Sequence, residues 1–334
     1  MIEKSQEKYH PKMITPIKAP FPYFGGKSAV AEIIWNAIGS DVTNYVEPFA
    51  GSLAVLLARP GGAGKTETVN DFDGLLSNVW RAMASDPDAV AHHADWPVNE
   101  CDLHARHLWL VGQRDSLTEK LMGDSTWFDA KAAGWWVWGA CAWIGSGWCS
   151  GAGPWISVDG VLTDRRKLPH VGDAGMGINR KLPHVGDAGR GDYICAMFRE
   201  ISARLRNVRV ACGDFERVLG PSSTTRHGVT GVFLDPPYDA GNHDPYAVDT
   251  NGVARRAAEW CLKNGEDEKL RIVLAGYDQE HDHLGLDLFG WRKVPWKARG
   301  GFGSQGNKTG RANSVREVLW LSPSTLKTVR ASAV

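Results

Sequence analysis

Two stretches of the chain alternate short apolar runs with amphipathic ones. In the first, about residues 20–100, 45–49 and 67–70 read as strands, while 28–38, 52–58 and 73–84 carry helical spacing. In the second, from about residue 207, the runs 208–212, 231–234 and 270–275 read as strands and 315–321 as a late strand. There 215–219 reads as a short helix and 252–262 as a longer one. Strands alternating with helices predict an α/β fold with a doubly wound, mostly parallel sheet. Residues 101–206 lose the alternation. The expected organisation is a polar N-terminal arm over 1–19, a main unit formed by 20–100 and 207–334, and an insertion over 101–206.

The insertion has its own character. Trp127, Trp135, Trp136, Trp138, Trp143, Trp148 and Trp155 crowd one short segment, and Gly145, Gly147, Gly151 and Gly153 interleave its later part. A helix over 129–144 would carry its tryptophans as core. Downstream, the ten residues from Arg166 to Gly175 recur from Arg180 to Gly189. Two copies do not make a solenoid; they read as two similar loops, or as duplication of a tolerated surface loop.

Composition narrows the classes. A chain of 334 residues with 43% hydrophobic content can bury a core. Its formal net charge is zero, yet Arg292, Lys293, Lys297, Arg299, Lys308, Arg311 and Arg316 fall in one stretch without an acid. Such a stretch is either a phosphate-binding patch or a solvated basic loop. Six cysteines without a Cys-x-x-Cys spacing read as reduced thiols of a cytoplasmic protein. No 18-residue apolar run predicts a membrane span. The paired histidines lack metal-site spacing, so no metal is expected. Residues 62–66 imitate a phosphate loop, but Arg59 stands where its leading glycine belongs.

The most specific chemistry lies at Asp235-Pro236-Pro237-Tyr238, directly after the apolar run 231–234. Two prolines fix φ and remove two N–H donors. What remains is a donor-poor corner with a carboxylate, outward carbonyls and a flat ring, suited to a planar ring bearing an exocyclic NH₂. Upstream, Glu47-Pro48-Phe49-Ala50-Gly51-Ser52 is a strand–turn–helix element of the kind that holds nucleotide-like cofactors. Thr68-Val69-Asn70-Asp71 ends the next strand on an acid, where such folds bind ribose. Pro22-Tyr23-Phe24-Gly25-Gly26-Lys27 places aromatics before a Gly-Gly-Lys turn, and Gly213-Asp214-Phe215 follows a later strand.

In this order the segments resemble the DNA adenine methylase (Dam-like) family of N6-adenine-specific DNA methyltransferases, in its alpha arrangement. The resemblance runs from about residue 20 to about residue 323 and is weakest across 160–192. It implies a Rossmann-like methyltransferase sheet with an inserted target recognition domain. It also implies S-adenosylmethionine as donor, double-stranded DNA as partner, and a base flipped out of the duplex. By resemblance, Asp235, Pro236, Pro237 and Tyr238 are catalytic. Tyr23, Gly26, Lys27, Glu47, Phe49, Ala50, Gly51, Asp71, Phe72, Asp214 and Phe215 are cofactor-binding, with Tyr23 and Lys27 near the methionine part. Trp148 sits where the family carries its recognition hairpin and is the candidate wedge into the base stack. Arg166, Lys167, Arg180, Lys181, Lys297 and Arg299 are the remaining DNA-binding candidates. Leu53 departs from the family pattern, which commonly has glycine there, and a bulkier residue is expected to shift the helix start.

Three rivals remain: methylation of cytosine N4, methylation of RNA or a protein amide, and a DNA-binding regulator that keeps the fold. Cytosine C5 chemistry is disfavoured because no Pro-Cys pair occurs. The recognised bases, the choice between monomer and dimer, and any partner nuclease are not encoded legibly.

Overall fold

The computed structural model describes residues 17–23, 26–143, 148–149, 155–158, 161–164, 191–237, 252–278, 281, 284–296 and 317–327. At its centre are β1 (Asn44–Glu47) and β6 (Thr230–Leu234), every residue of which is buried. Such strands are buried on both sides because helices cover both faces of a parallel sheet. With β2 (Thr66–Asp71), β5 (Val208–Cys212), β7 (Leu270–Tyr277), β8 (Arg292–Pro295) and β9 (Glu317–Leu321) they form one seven-stranded sheet, ordered β5-β2-β1-β6-β7-β9-β8. Pairing is parallel from β5 through β7 and antiparallel for β7–β9 and β9–β8. The fold is α/β and Rossmann-like, as the alternation predicted. A separate antiparallel hairpin joins β3 (Trp155–Val158) and β4 (Val161–Asp164).

Four helices start where a polar side chain caps them. Asp73 caps α3 (Gly74–Ser85), Asp86 caps α4 (Pro87–Ala94), Asn99 caps α5 (Glu100–Gly123) and Asp129 caps α6 (Ala130–Ala142). The remaining helices are α1 (Ala31–Ile38), α2 (Ala54–Leu57), α7 (Gly191–Leu205) and α8 (Val253–Asn264). Helix α6 packs on α3 and α4, and α7 packs on the same pair. Trp136 and Trp138 of α6 are buried, in line with the core reading of that helix.

One buried charge cluster ties α7 to the sheet. Glu67 of β2, fully buried, takes Arg59 at 3.0 Å and Arg204 of α7 at 2.6 Å. The Arg204 guanidinium also donates to Leu56 O at 3.0 Å. Strand β8 was not anticipated. Its Arg292 donates to Thr325 Oγ1 and Leu326 O, and its Lys293 pairs with Asp278. The first two bases of the basic stretch are therefore engaged within the protein. Among the described residues no helix is long and apolar enough to cross a membrane. All six cysteines are free.

Candidate active site

The parallel strands end on one side of the sheet, and the strand order reverses between β1 and β6. In open α/β sheets ligands bind in the crevice at that reversal, outside the carboxyl ends of the strands. Glu47 closes β1, Asp71 closes β2, and Asp235 follows β6.

The turn after β1 is held by its neighbours. Ala50 N–H donates to Asn70 O at 2.8 Å and Gly51 N–H to Asp71 Oδ2 at 3.1 Å. The Asn70 amide donates to Pro48 O at 3.0 Å and to Gly213 O at 2.9 Å, so one side chain joins the loops after β1 and β5. Gly51 has φ 46°, and a Cβ there would lie 2.8 Å from the Tyr23 ring; the close approach requires glycine. Leu53, fully buried, also takes a left-handed conformation (φ 56°) and caps α2, which begins at Ala54 rather than at residue 52 as expected.

The acids of this turn are hard to ionise. Glu47 is buried and accepts from Tyr45 O–H at 3.0 Å; burial pushes its carboxyl up to about 8. Burial likewise pushes Asp71 up to about 6, opposed by the N–H groups of Asp73, Gly51 and Phe72. Phe72 is 59% exposed. Phe49 stacks on Phe215 with centroids 5.1 Å apart, and Arg256 of α8 lies 5.0 Å from the Phe215 centroid. The same guanidinium binds Asp214 at 3.0 Å and Glu216 at 2.7 Å.

Lys27 lies at the candidate catalytic corner. Its side chain is 3% exposed, with Nζ 2.9 Å from Asp235 Oδ1 and 3.6 Å from Glu317 Oε2. The Trp296 ring centroid is 5.9 Å from the same ammonium. Gly26 N–H closes the preceding turn on Tyr23 O at 3.0 Å. Pro236 is buried and Pro237 half-buried. Tyr238, Arg166, Lys167, Arg180, Lys181, Lys297 and Arg299 lie outside the described residues.

Trp148 corrects an expectation. It is half-buried between Trp143 and His107, and its indole N–H donates to Trp136 O at 3.0 Å. It packs so tightly on Gly139 that a Cβ there would lie 1.8 Å from the ring. A side chain so seated is not an exposed wedge; its N–H and its ring both find partners inside the fold. Sequence reading also missed Asn70 and Glu317. The one signal for Glu317 is an acid opening an otherwise apolar strand.

A doubly wound sheet with acids at the ends of β1 and β2 and just after β6 is consistent with a Rossmann-like methyltransferase fold. Residues 23–100 match the family model of the D12 class N6 adenine-specific DNA methyltransferase. That match supports an adenine-specific DNA methyltransferase, in line with the resemblance to Dam-like adenine methylases. No curated protein matches the chain.

Proposed function

We propose that the chain transfers a methyl group from S-adenosylmethionine to N6 of an adenine flipped out of duplex DNA. The observation that carries the reading is the Asp235 carboxylate, fixed by Lys27 at the end of β6 beside the turn that follows β1. The crevice residues fit the donor. Asp71 is an acceptor at the ribose position, and Phe72 offers an exposed ring next to it. Tyr23, Gly26, Phe49, Ala50, Gly51, Asp214 and Phe215 complete the proposed donor site. When bound, the donor supplies an already activated methyl carbon.

The adenine amine is a weak nucleophile because its lone pair is delocalised into the ring. Asp235 and the Pro236 carbonyl accept its hydrogens and favour a tetrahedral nitrogen with an available lone pair. Both oxygens also stabilise the positive charge that develops there, as an oxyanion hole does for the opposite sign. Alignment of the amine with the methyl carbon supplies a further share of the rate. Arg166, Lys167, Arg180, Lys181, Lys297 and Arg299 are the proposed DNA contacts.

Label from methyl-tritiated donor is expected in duplex DNA, in adenine, and not in RNA or protein. Asp235→Ala should lower kcat by about 10²-fold or more while donor binding, followed by equilibrium dialysis, changes little. Label in cytosine would overturn the base assignment, and near-normal turnover of Asp235→Ala would overturn the site.

A further inference from the structure

Glu317 opens β9, which runs antiparallel to β7 with Glu317 opposite Tyr277. The rest of that strand, Val318 to Leu321, is buried and apolar. An acid is therefore not what packing asks for at this position. The Glu317 side chain is only 12% exposed, and its Oε2 accepts no hydrogen bond among the described residues. It points instead at the Lys27 ammonium, 3.6 Å away, whose other carboxylate is Asp235 at 2.9 Å. Trp296, whose ring lies near Lys27, also donates its backbone N–H to Glu317 O at 3.3 Å. Three elements distant in sequence thus meet on one buried ammonium.

The charges decide what this arrangement does. A buried lysine paired with Asp235 alone would satisfy that carboxylate and weaken it as an acceptor for an incoming amine. Shared with a second carboxylate, the ammonium still orients Asp235, and with Glu317 ionised the trio keeps one net negative charge. That charge complements the cation forming on the nitrogen. Glu47, the other acid acting on Asp235, supplies no such charge while it holds its proton. Burial, chiefly, and the Asp235 charge raise the Glu317 carboxyl above its ordinary value, and Lys27 holds that rise in check.

We propose that Glu317 is a positioning residue for methyl transfer: it anchors Lys27 and leaves Asp235 oriented and electron-rich. The proposal rests on the methyltransferase reading above.

The test is steady-state kinetics of Glu317→Gln, which keeps the shape and removes the charge, with melting curves run in parallel. The expected result is a kcat lower by about tenfold or more, with KM for donor and DNA within about twofold, the signature of an interaction used in the transition state. Glu317→Asp, with the charge on a shorter arm, should recover part of the loss. In a Lys27→Met background, Glu317→Gln should cost less than about twofold, because residues acting as a unit are not additive. An active wild type with unchanged kcat in Glu317→Gln overturns the role of Glu317 alone. Equal losses in the Gln and Asp variants, or full additivity with Lys27→Met, mark plain packing and overturn it too. A wild-type chain that methylates no DNA overturns the methyltransferase reading itself, and the catalytic role with it.

Discussion

Leu53 holds a left-handed backbone, φ 56°, under a fully buried side chain. That conformation costs a residue with a Cβ about 1–2 kcal/mol, while truncating a buried leucine costs about 2–5 kcal/mol. Burial wins, which is how a leucine persists where a glycine would relax. Leu53→Ala loses the burial and keeps the strain; Leu53→Gly loses the burial and releases it. The glycine variant should therefore be the more stable of the two by about 1 kcal/mol in urea unfolding. That order is the reverse of the usual preference for alanine, and an alanine variant as stable as the glycine one would refute it. Residues such as Asp235, Glu47 and Asp71 were legible because each closes a strand within a short motif. Asn70 and Glu317 were not, since their meaning lies in partners far along the chain, Gly213 for one and Lys27 for the other.

The strand ends carry the pH response of the fold. Glu47 at the end of β1 moves from an ordinary 4.5 to about 8, and Asp71 at the end of β2 from 3.8 to about 6. Both are raised, so the folded chain keeps protons that the unfolded chain has released, and stability falls as pH climbs through each folded value. His107 of α5 acts in the opposite direction: burial lowers it from 6.5 to about 4, and it favours the fold as pH rises through that range. Above 6.5 the contributions of Asp71 and His107 are complete, while that of Glu47 continues up to about 8. The melting temperature should fall across that window in the wild type and stay level in Glu47→Gln. A glutamine variant with the wild-type slope would show that another group titrates there. Among the elements, the central strands were legible from their apolar runs and adjoining turns. Strand β8 was not, because an edge strand bearing Arg292 and Lys293 reads as a basic loop. Helix α5 escaped notice because it is polar overall, although Leu103, Leu110 and Leu117, all buried, recur every seventh position.

Among the described residues, the helices between the two strand-rich stretches share a core with the first of them. Side chains of α5, α6 and α7 pack in the same cluster as those of α1, α2 and α3. The Arg59–Glu67–Arg204 cluster makes that continuity electrostatic, since it joins β2 to a helix more than a hundred residues later. Loss of Arg204 would leave Glu67 with Arg59 as its counter-cation, and Glu67 Oε2 and Leu56 O would lose the donors they take from Arg204. Arg204→Met should lower unfolding free energy by about 1–3 kcal/mol, and a loss under about 0.5 kcal/mol would mean the contact behaves as a solvated one. Sequence reading could place Glu67 on a strand but had no means of pairing it with Arg204. Residues 23–100, the stretch matched by the family model, contain Glu67 and Arg59 but not Arg204. Cut out as a minimal fragment, that stretch would carry an acid missing one of its two counter-cations and an apolar flank opened to water. The matched stretch and the buried contacts that hold it do not end at the same place, and any dissection for biochemistry has to follow the contacts.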